Sequence, residues 1–256
     1  MLLKRLSFGI RSAKYRTSQY IRTIWYRVVR IPAGQLAWLL WDSSDLLSDK
    51  VLSRRNGIRV LGDLTLVEVR PGSIQDFVLD NDVERKFLIW SGDWDHRVRP
   101  IQEHYRYEPM VDLWRHRDQV EQSKSYRDMI HRIDNNQPLS RINKGILIDT
   151  PAKARKHLEK ELEIFYSLET EGYNPELADD ELNVAIARDG SMVKANGGRK
   201  RLIAAQILDL PSIPVRIAYI HKDWLARHQT GNLGRSEALK LAVSKAKALA
   251  ADTNKA

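Results

Sequence analysis

Cysteine is absent from the 256 residues. Disulfides, thiolate nucleophiles and cysteine-based zinc sites are therefore excluded. A reducing compartment is compatible with that composition. No apolar run approaches the ~18 residues that a membrane span requires. Acidic side chains are missing from residues 1–30, which carry eight Lys or Arg. Arg11, Lys14 and Arg16 interrupt the apolar groups there, so a signal peptide is not expected. Internal repeats and long linkers are also lacking.

Apolar residues make up 43% of the chain, which is enough to build a core. The length suits one large domain or two small ones. The net charge is +9, which favours polyanionic partners: nucleic acid, anionic lipid or phosphorylated ligands. In residues 17–30, Tyr20, Ile21, Ile24, Trp25, Val28 and Val29 recur at helical spacing, with Arg22, Arg27 and Arg30 elsewhere on the wheel. Such a helix either lies on an anionic membrane surface or packs on its own domain. Trp38 and Trp41, in "AGQLAWLLW", either extend an interfacial surface or belong to a core. A basic helical arm over 1–58 is expected, with residues 1–41 as its membrane-facing part. The expected location is cytoplasmic, peripheral to a membrane if the arm binds one.

Beyond the arm, "IRVLGDLTLVEVRPGSI" reads as a strand ended by Pro71-Gly72, with Leu64, Leu66 and Glu68 alternating against Thr65, Val67 and Val69. Residues 105–145 read as loop or broken helix. A long helix follows. Asp149-Thr150-Pro151 supplies its cap and first-turn proline, Ala154, Leu158, Leu162, Phe165 and Leu168 form one apolar face, and Gly172 stops it. Lys153, Arg155 and Lys156 come early in it, against the helix dipole, as a basic patch or a solvated face. Residues 235–256 read as an Ala/Lys-rich helical tail.

The chemistry concentrates in residues 181–224. "LNVAIAR" alternates as a strand with one buried face. Asp189-Gly190 signals a two-residue hairpin turn. "SMVKA" returns as a strand, Asn196-Gly197-Gly198 turns the chain, and a helix runs from about Arg199 to Leu208. "SIPVRIAYI" is a third strand. Glycines let a backbone approach a ligand closely, and the first amides of a helix point outward. With Arg199, Lys200 and Arg201 they form a candidate phosphate cradle, as opposed to a plain basic turn.

"DGSMVKANGGRKRLIAAQILDLPSIPVRI" resembles the central motif of the ParB/sulfiredoxin-like superfamily. That motif runs from a hairpin to a Gly-x-Arg-Arg or Gly-x-His-Arg turn, then a helix, then Ile-Pro-Val. Gly198, Arg201, Leu202, Ala204, Ala205 and Ile213-Pro214-Val215 match it. Uncharacterised proteins with this module carry a "GDWD" element, a helix ending near Gly-Tyr and a His-x-x-Trp. Gly92-Asp93-Trp94-Asp95, Gly172-Tyr173, and His221 with Trp224 fall here in that order. The resemblance implies an α+β fold with a small mixed sheet and packed helices, over residues 59–234. It also implies a nucleotide site at Asn196, Gly197, Gly198, Arg199, Lys200 and Arg201, since ParB proteins bind CTP, sulfiredoxins bind ATP, and a related enzyme phosphorylates free serine. Lys200 stands where many relatives have His or Arg, and Arg199 stands where ParB has an acidic residue linked to hydrolysis. Sulfinic acid reduction is excluded, because sulfiredoxin's catalytic cysteine is missing.

Asp93 and Asp95 could hold the Mg²⁺ that accompanies ATP, or hydrogen-bond within a turn. Glu181, with Asp179 and Asp180, and His221 are candidate catalytic bases toward a hydroxyl acceptor, or solvated and structural groups. Trp224 either stacks on a base or plugs the core. Three functions follow. The first is a nucleotide-binding protein acting as an ATP-dependent phosphotransferase on a small molecule or glycan. The second is a DNA-binding or partition protein, although no helix-turn-helix is legible after residue 225. The third is a membrane- or complex-docking protein with a degenerate nucleotide site.

Overall fold

A computed structural model describes residues 38, 41, 52–79, 86–141, 145–173, 181–231 and 233–253. The helix expected over 17–30 lies outside them. The described helices are α1 (Arg54–Leu61), α2 (Tyr107–Arg115), α3 (Lys124–Asp134), α4 (Pro151–Glu171), α5 (Arg199–Ile207), α6 (Lys222–His228) and α7 (Arg235–Thr253). The strands are β1 (Leu66–Val69), β2 (Asp76–Val78), β3 (Ile89–Trp90), β4 (Val98–Pro100), β5 (Leu139–Arg141), β6 (Ile146–Ile148), β7 (Asn183–Ile186), β8 (Met192–Lys194) and β9 (Ile213–His221). The fold is α+β, as expected, and its main sheet is mixed. Two compact units divide it: Glu108–Tyr166 belongs to one, while the other combines Pro32–Tyr107 with Ser167–Ala256. The domain expected over 59–234 spans both, and α1 crosses its lower boundary.

In the first unit, local caps start the helices. Ser123 Oγ accepts from the Tyr126 amide at 3.2 Å, and Asp112 Oδ2 accepts from the Lys124 amide at 2.6 Å, so two first-turn donors of α3 are satisfied. The antiparallel pair β5–β6 precedes α4. Thr150 Oγ1 accepts from the Lys153 amide at 3.3 Å, and Pro151 takes the first helical position. Within this unit Ala154, Leu158, Leu162 and Phe165 of the expected apolar face of α4 are buried, and so is Leu168, which falls in the second unit. Trp114 stacks on Phe165 with ring centroids 4.8 Å apart. The early cations of α4 are paired locally: Lys153 with Asp149 at 2.6 Å, and Arg155 with Glu121 and Glu159 at 2.7 and 2.8 Å. Those pairs favour a solvated, neutralised face over a basic patch.

In the second unit, a seven-stranded sheet runs β1-β9-β7-β8-β2-β4, and β3 also pairs with β9. β9 is the longest strand because it meets three partners along its length: β1 antiparallel, then β7 and β3 parallel. Three expectations are corrected here. Residues 58–65 are the end of α1 and a 3-10 turn, so β1 begins only at Leu66, with Val67 and Val69 as its buried residues. β7 is buried on both faces, because it is a central strand and both of its surfaces are covered. Five residues, Ala187 to Ser191, connect β7 to β8, and the Ala187–Ser191 pair encloses a three-residue loop, Arg188-Asp189-Gly190. The Ala187 amide bonds the Ser191 carbonyl, and the Gly190 amide bonds the Ala187 carbonyl. Only Gly190 of the three takes positive φ, at 94°, whereas a two-residue type I′ turn needs two such residues.

The core of this unit places alanines beneath aromatics. Ala185, Ala187, Val193, Ala195 and Ala218 share a cluster with Trp90, Trp94 and Tyr219. Small residues on the sheet leave height for the rings, and Trp90 stacks on Tyr219 at 3.6 Å. Trp38 and Trp41 are buried, and the Arg235 guanidinium donates to the Trp41 carbonyl at 3.1 Å. These two tryptophans are therefore core residues and not an interfacial surface. Similarly, α7 is not a loose tail. Ala238, Leu239, Ala242, Val243 and Ala246 are fully buried, and Trp224 Nε1 donates to the Ala242 carbonyl at 3.0 Å. Among the described residues, no helix is long and apolar enough to cross a membrane.

The two ends of α5 both use left-handed backbone, by opposite means. Gly198 (φ 63°) precedes the helix, and a Cβ there would sit 2.6 Å from Leu182 Cα. At the other end, Asp209 (φ 49°) closes a Schellman motif: its amide bonds Gln206, and the Leu210 amide bonds Ala205. Gly198→Ala is expected to destabilise the protein by about 2–4 kcal/mol, from left-handed strain plus overpacking. Asp209→Gly is expected to stabilise it by about 0.5–1 kcal/mol, since the strain removed outweighs the loss of an exposed ion pair with Arg70 at 4.0 Å. Urea denaturation of both variants checks the pair; equal signs would contradict this account of the helix ends.

Candidate functional site

β8 delivers the chain into Ala195 and Asn196. Gly197 and Gly198 then turn it through two successive left-handed residues (φ 73° and 63°) into α5. Gly198 has no side chain with which to cap the helix, and no acidic residue lies in the first turn. Instead the first turn holds Arg199, Lys200 and Arg201. The structure thus brings the six expected residues, Asn196 to Arg201, into one turn and helix start. The contact with Leu182 gives Gly198 a packing reason as well, independent of any ligand.

Neighbouring groups hold this region. Asn196 Oδ1 accepts from the Tyr219 hydroxyl at 3.0 Å. Arg201 Nη1 donates to the Tyr173 hydroxyl at 2.9 Å, and its guanidinium lies over that ring. Arg199 Nη1 lies 3.4 Å from His104 Nε2. The Arg106 amide meets Nδ1 of the same imidazole at 3.3 Å. A neutral imidazole has one lone-pair nitrogen, so His104 accepts from only one of these two donors at a time. Sequence reasoning missed Lys194. Its side chain is fully buried, and Nζ donates to the carbonyls of Asn183, Ala195 and Asn196 at 2.9, 2.8 and 3.3 Å. A charge inside an otherwise apolar strand was its only legible signal.

Asp93 and Asp95 do come together, but around a cation the chain itself supplies. Arg188 Nε and Nη2 donate to Asp95 at 2.9 Å each, its backbone amide donates to Asp95 Oδ2 at 3.0 Å, and Nη2 also reaches Asp93 at 2.7 Å. The guanidinium occupies the space between the carboxylates, which corrects the Mg²⁺ reading of these two residues. Among the described residues, no group of three or more His, Asp or Glu side chains is placed to hold a metal ion. Arg188 belongs to the hairpin loop, so this ion pair ties that loop to the "GDWD" turn. Trp94 of the same turn is buried and meets Trp90 edge-on.

His221 is buried with both ring nitrogens engaged. Nε2 donates to the Gly92 carbonyl at 2.8 Å, and Nδ1 accepts from the Asp223 amide at 3.0 Å as the cap of α6. It therefore ties these elements together, which favours the structural alternative over the candidate base. Glu181 is paired with Arg216 at 2.7 Å, and Arg216 in turn donates to Thr65 Oγ1 at 2.9 Å. That pairing also argues against Glu181 as an available base. Trp224 is core: a Cβ on Gly190 would meet its ring at 2.6 Å. Asp179 and Asp180 lie outside the described residues.

No protein-family model, curated protein or solved structure matches the chain.

The Arg188 cluster has a pH signature. The hydrogen bond and charge of Arg188 hold the Asp93 carboxyl below its ordinary range. At Asp95 burial pushes upward, but hydrogen bonds from the Arg188 side chain and amide outweigh it, so this carboxyl too is lowered. A lowered folded pKa stabilises the fold above the unfolded value, about 3.9 for Asp, and that stabilisation is lost as pH falls through the folded value. Arg188→Met is thus expected to lower Tm at about pH 7, with the gap to wild type narrowing below about pH 4. A calorimetric Tm series in which the gap stays constant to about pH 2 would refute this coupling.

Proposed function

We propose that the chain binds a nucleotide through its phosphates at the turn Asn196–Arg201. One observation carries the reading. α5 opens on two consecutive left-handed glycines, with a glycine as its N-cap and no acidic residue in its first turn, directly before three consecutive cations. A helix start concentrates outward amides and positive dipole, and arginines add charge-assisted hydrogen bonds to phosphate oxygens. The likeness of residues 181–224 to the ParB/sulfiredoxin-like motif supports the same ligand class, as does the net charge of +9. Mg²⁺ would arrive with the nucleotide, ligated by phosphate and water, since Arg188 already satisfies Asp93 and Asp95.

Binding is better supported than phosphoryl transfer to a hydroxyl acceptor. Both side chains considered as bases, Glu181 and His221, have structural engagements. The net charge of +9 suits a DNA-binding role as well, but no helix-turn-helix is legible after residue 225 to carry one.

A thermal-shift panel of ATP, ADP, CTP and GTP with Mg²⁺ tests the reading, because a ligand that binds only the folded state raises Tm. One nucleotide is expected to stand out, and a flat panel would refute the proposal. Arg201→Ala is expected to weaken that nucleotide at least tenfold, about 1.4 kcal/mol, by calorimetry. Unchanged affinity in a folded variant would remove Arg201 from the site.

A further inference from the structure

Lys194 is the most deeply buried charge near the turn, with no exposed surface. Lysine is almost never fully buried unless its charge is engaged, because desolvating an ammonium is costly. Its neighbours in β8, Met192 and Val193, are apolar, so packing alone asks for nothing more than an apolar side chain at this position. The ammonium has three donors, and three backbone carbonyls converge on it: Asn183 at the start of β7, then Ala195 and Asn196 in the turn itself.

Direction matters more than the count. No peptide bond in the described chain is cis. In a trans peptide the C=O and the following N–H point opposite ways. Drawing the Ala195 carbonyl inward therefore turns the Asn196 amide outward, and drawing the Asn196 carbonyl inward does the same for the Gly197 amide. Those two amides precede the amides of α5 along the same turn. Oriented backbone N–H groups beside a helix start form an anion-binding surface.

We propose that Lys194 is a positioning residue of the phosphate site. Its buried ammonium holds the turn's carbonyls inward, so that the Asn196 and Gly197 amides face a bound phosphate. The inference rests on the nucleotide reading above and adds the device that shapes that site. Lys194 does not touch the ligand; it sets the orientation of the groups that do.

The experiment uses the full chain, with Mg²⁺-ATP and inorganic phosphate as probes. Calorimetry gives the affinity of wild type and Lys194→Met, circular dichroism gives their fold, and NMR follows the Asn196 and Gly197 amide signals during titration. Wild type is expected to bind ATP, with both amides shifting on addition of either probe. Folded Lys194→Met is expected to bind ATP at least tenfold more weakly, about 1.4 kcal/mol, with those two shifts much reduced. A folded variant that binds within about twofold of wild type would overturn the role of Lys194 and leave the nucleotide reading standing. Should Lys194→Met fail to fold, the wild-type titration decides alone. Shifts at both amides support the proposal, and ATP binding without them overturns it. Wild type that binds neither probe overturns the nucleotide reading, and this inference with it.

Discussion

At the start of α5 there is no room for a Cβ. Gly198 lies against the backbone of Leu182, at the entrance to the central strand β7, and the helix can begin there only because residue 198 lacks a side chain. That contact fixes where α5 starts, and with it the crossing from β8 to β9. β9 then organises the sheet by pairing with β1, β7 and β3. The far end of α5 is fixed as well: Gln206 Nε2 donates to the carbonyls of Pro71 and Ile74 at 2.9 Å each. The helix is therefore pinned at both ends, and the orientation of its first turn follows from packing.

Paired polar and charged groups do comparable structural work. Arg188 ties the β7–β8 loop to the Gly92–Asp95 turn, His221 ties that turn to the cap of α6, and Arg216 joins Glu181 to Thr65. Each links segments distant in sequence by charge-assisted or directed hydrogen bonds, whose geometry is stricter than that of apolar contact. Lys194 belongs to the same class but acts on the backbone. It gathers three carbonyls where a strand becomes a turn. A rigid turn supports binding because less ordering remains to be done when a ligand arrives.

Much of this was legible in the sequence where the signal is local. The apolar face of α4, its proline start and its glycine stop were readable from spacing, and so was the succession of hairpin, glycine turn, helix and strand over 182–221. What failed depended on tertiary partners. The full burial of β7 follows from its central place in the sheet, which alternation within one strand does not encode. Asp93 and Asp95 looked like ligands because Arg188, more than ninety residues away, gave no sign of reaching them. For His221 the sequence left a catalytic base and a structural group both open, and only its partners in the fold decide for the latter. Ile58 and Val60 are β-branched, yet they continue a helix capped by Ser53, whose hydroxyl accepts from the Asn56 amide. The candidate site was legible as a cluster of glycines and cations; the lysine beneath it was not, because burial is not written in one residue's identity.

On the proposed reading, residues 196–201 form a preformed surface for phosphate, built on a packed glycine and the internal ammonium of Lys194 beneath it. A crystal structure grown with Mg²⁺ and a non-hydrolysable ATP analogue tests this most directly. The account predicts phosphate oxygens within about 3 Å of backbone amides between Asn196 and Arg201, with the Lys194 contacts unchanged. A nucleotide seated elsewhere, with this turn in contact only with solvent, would contradict it.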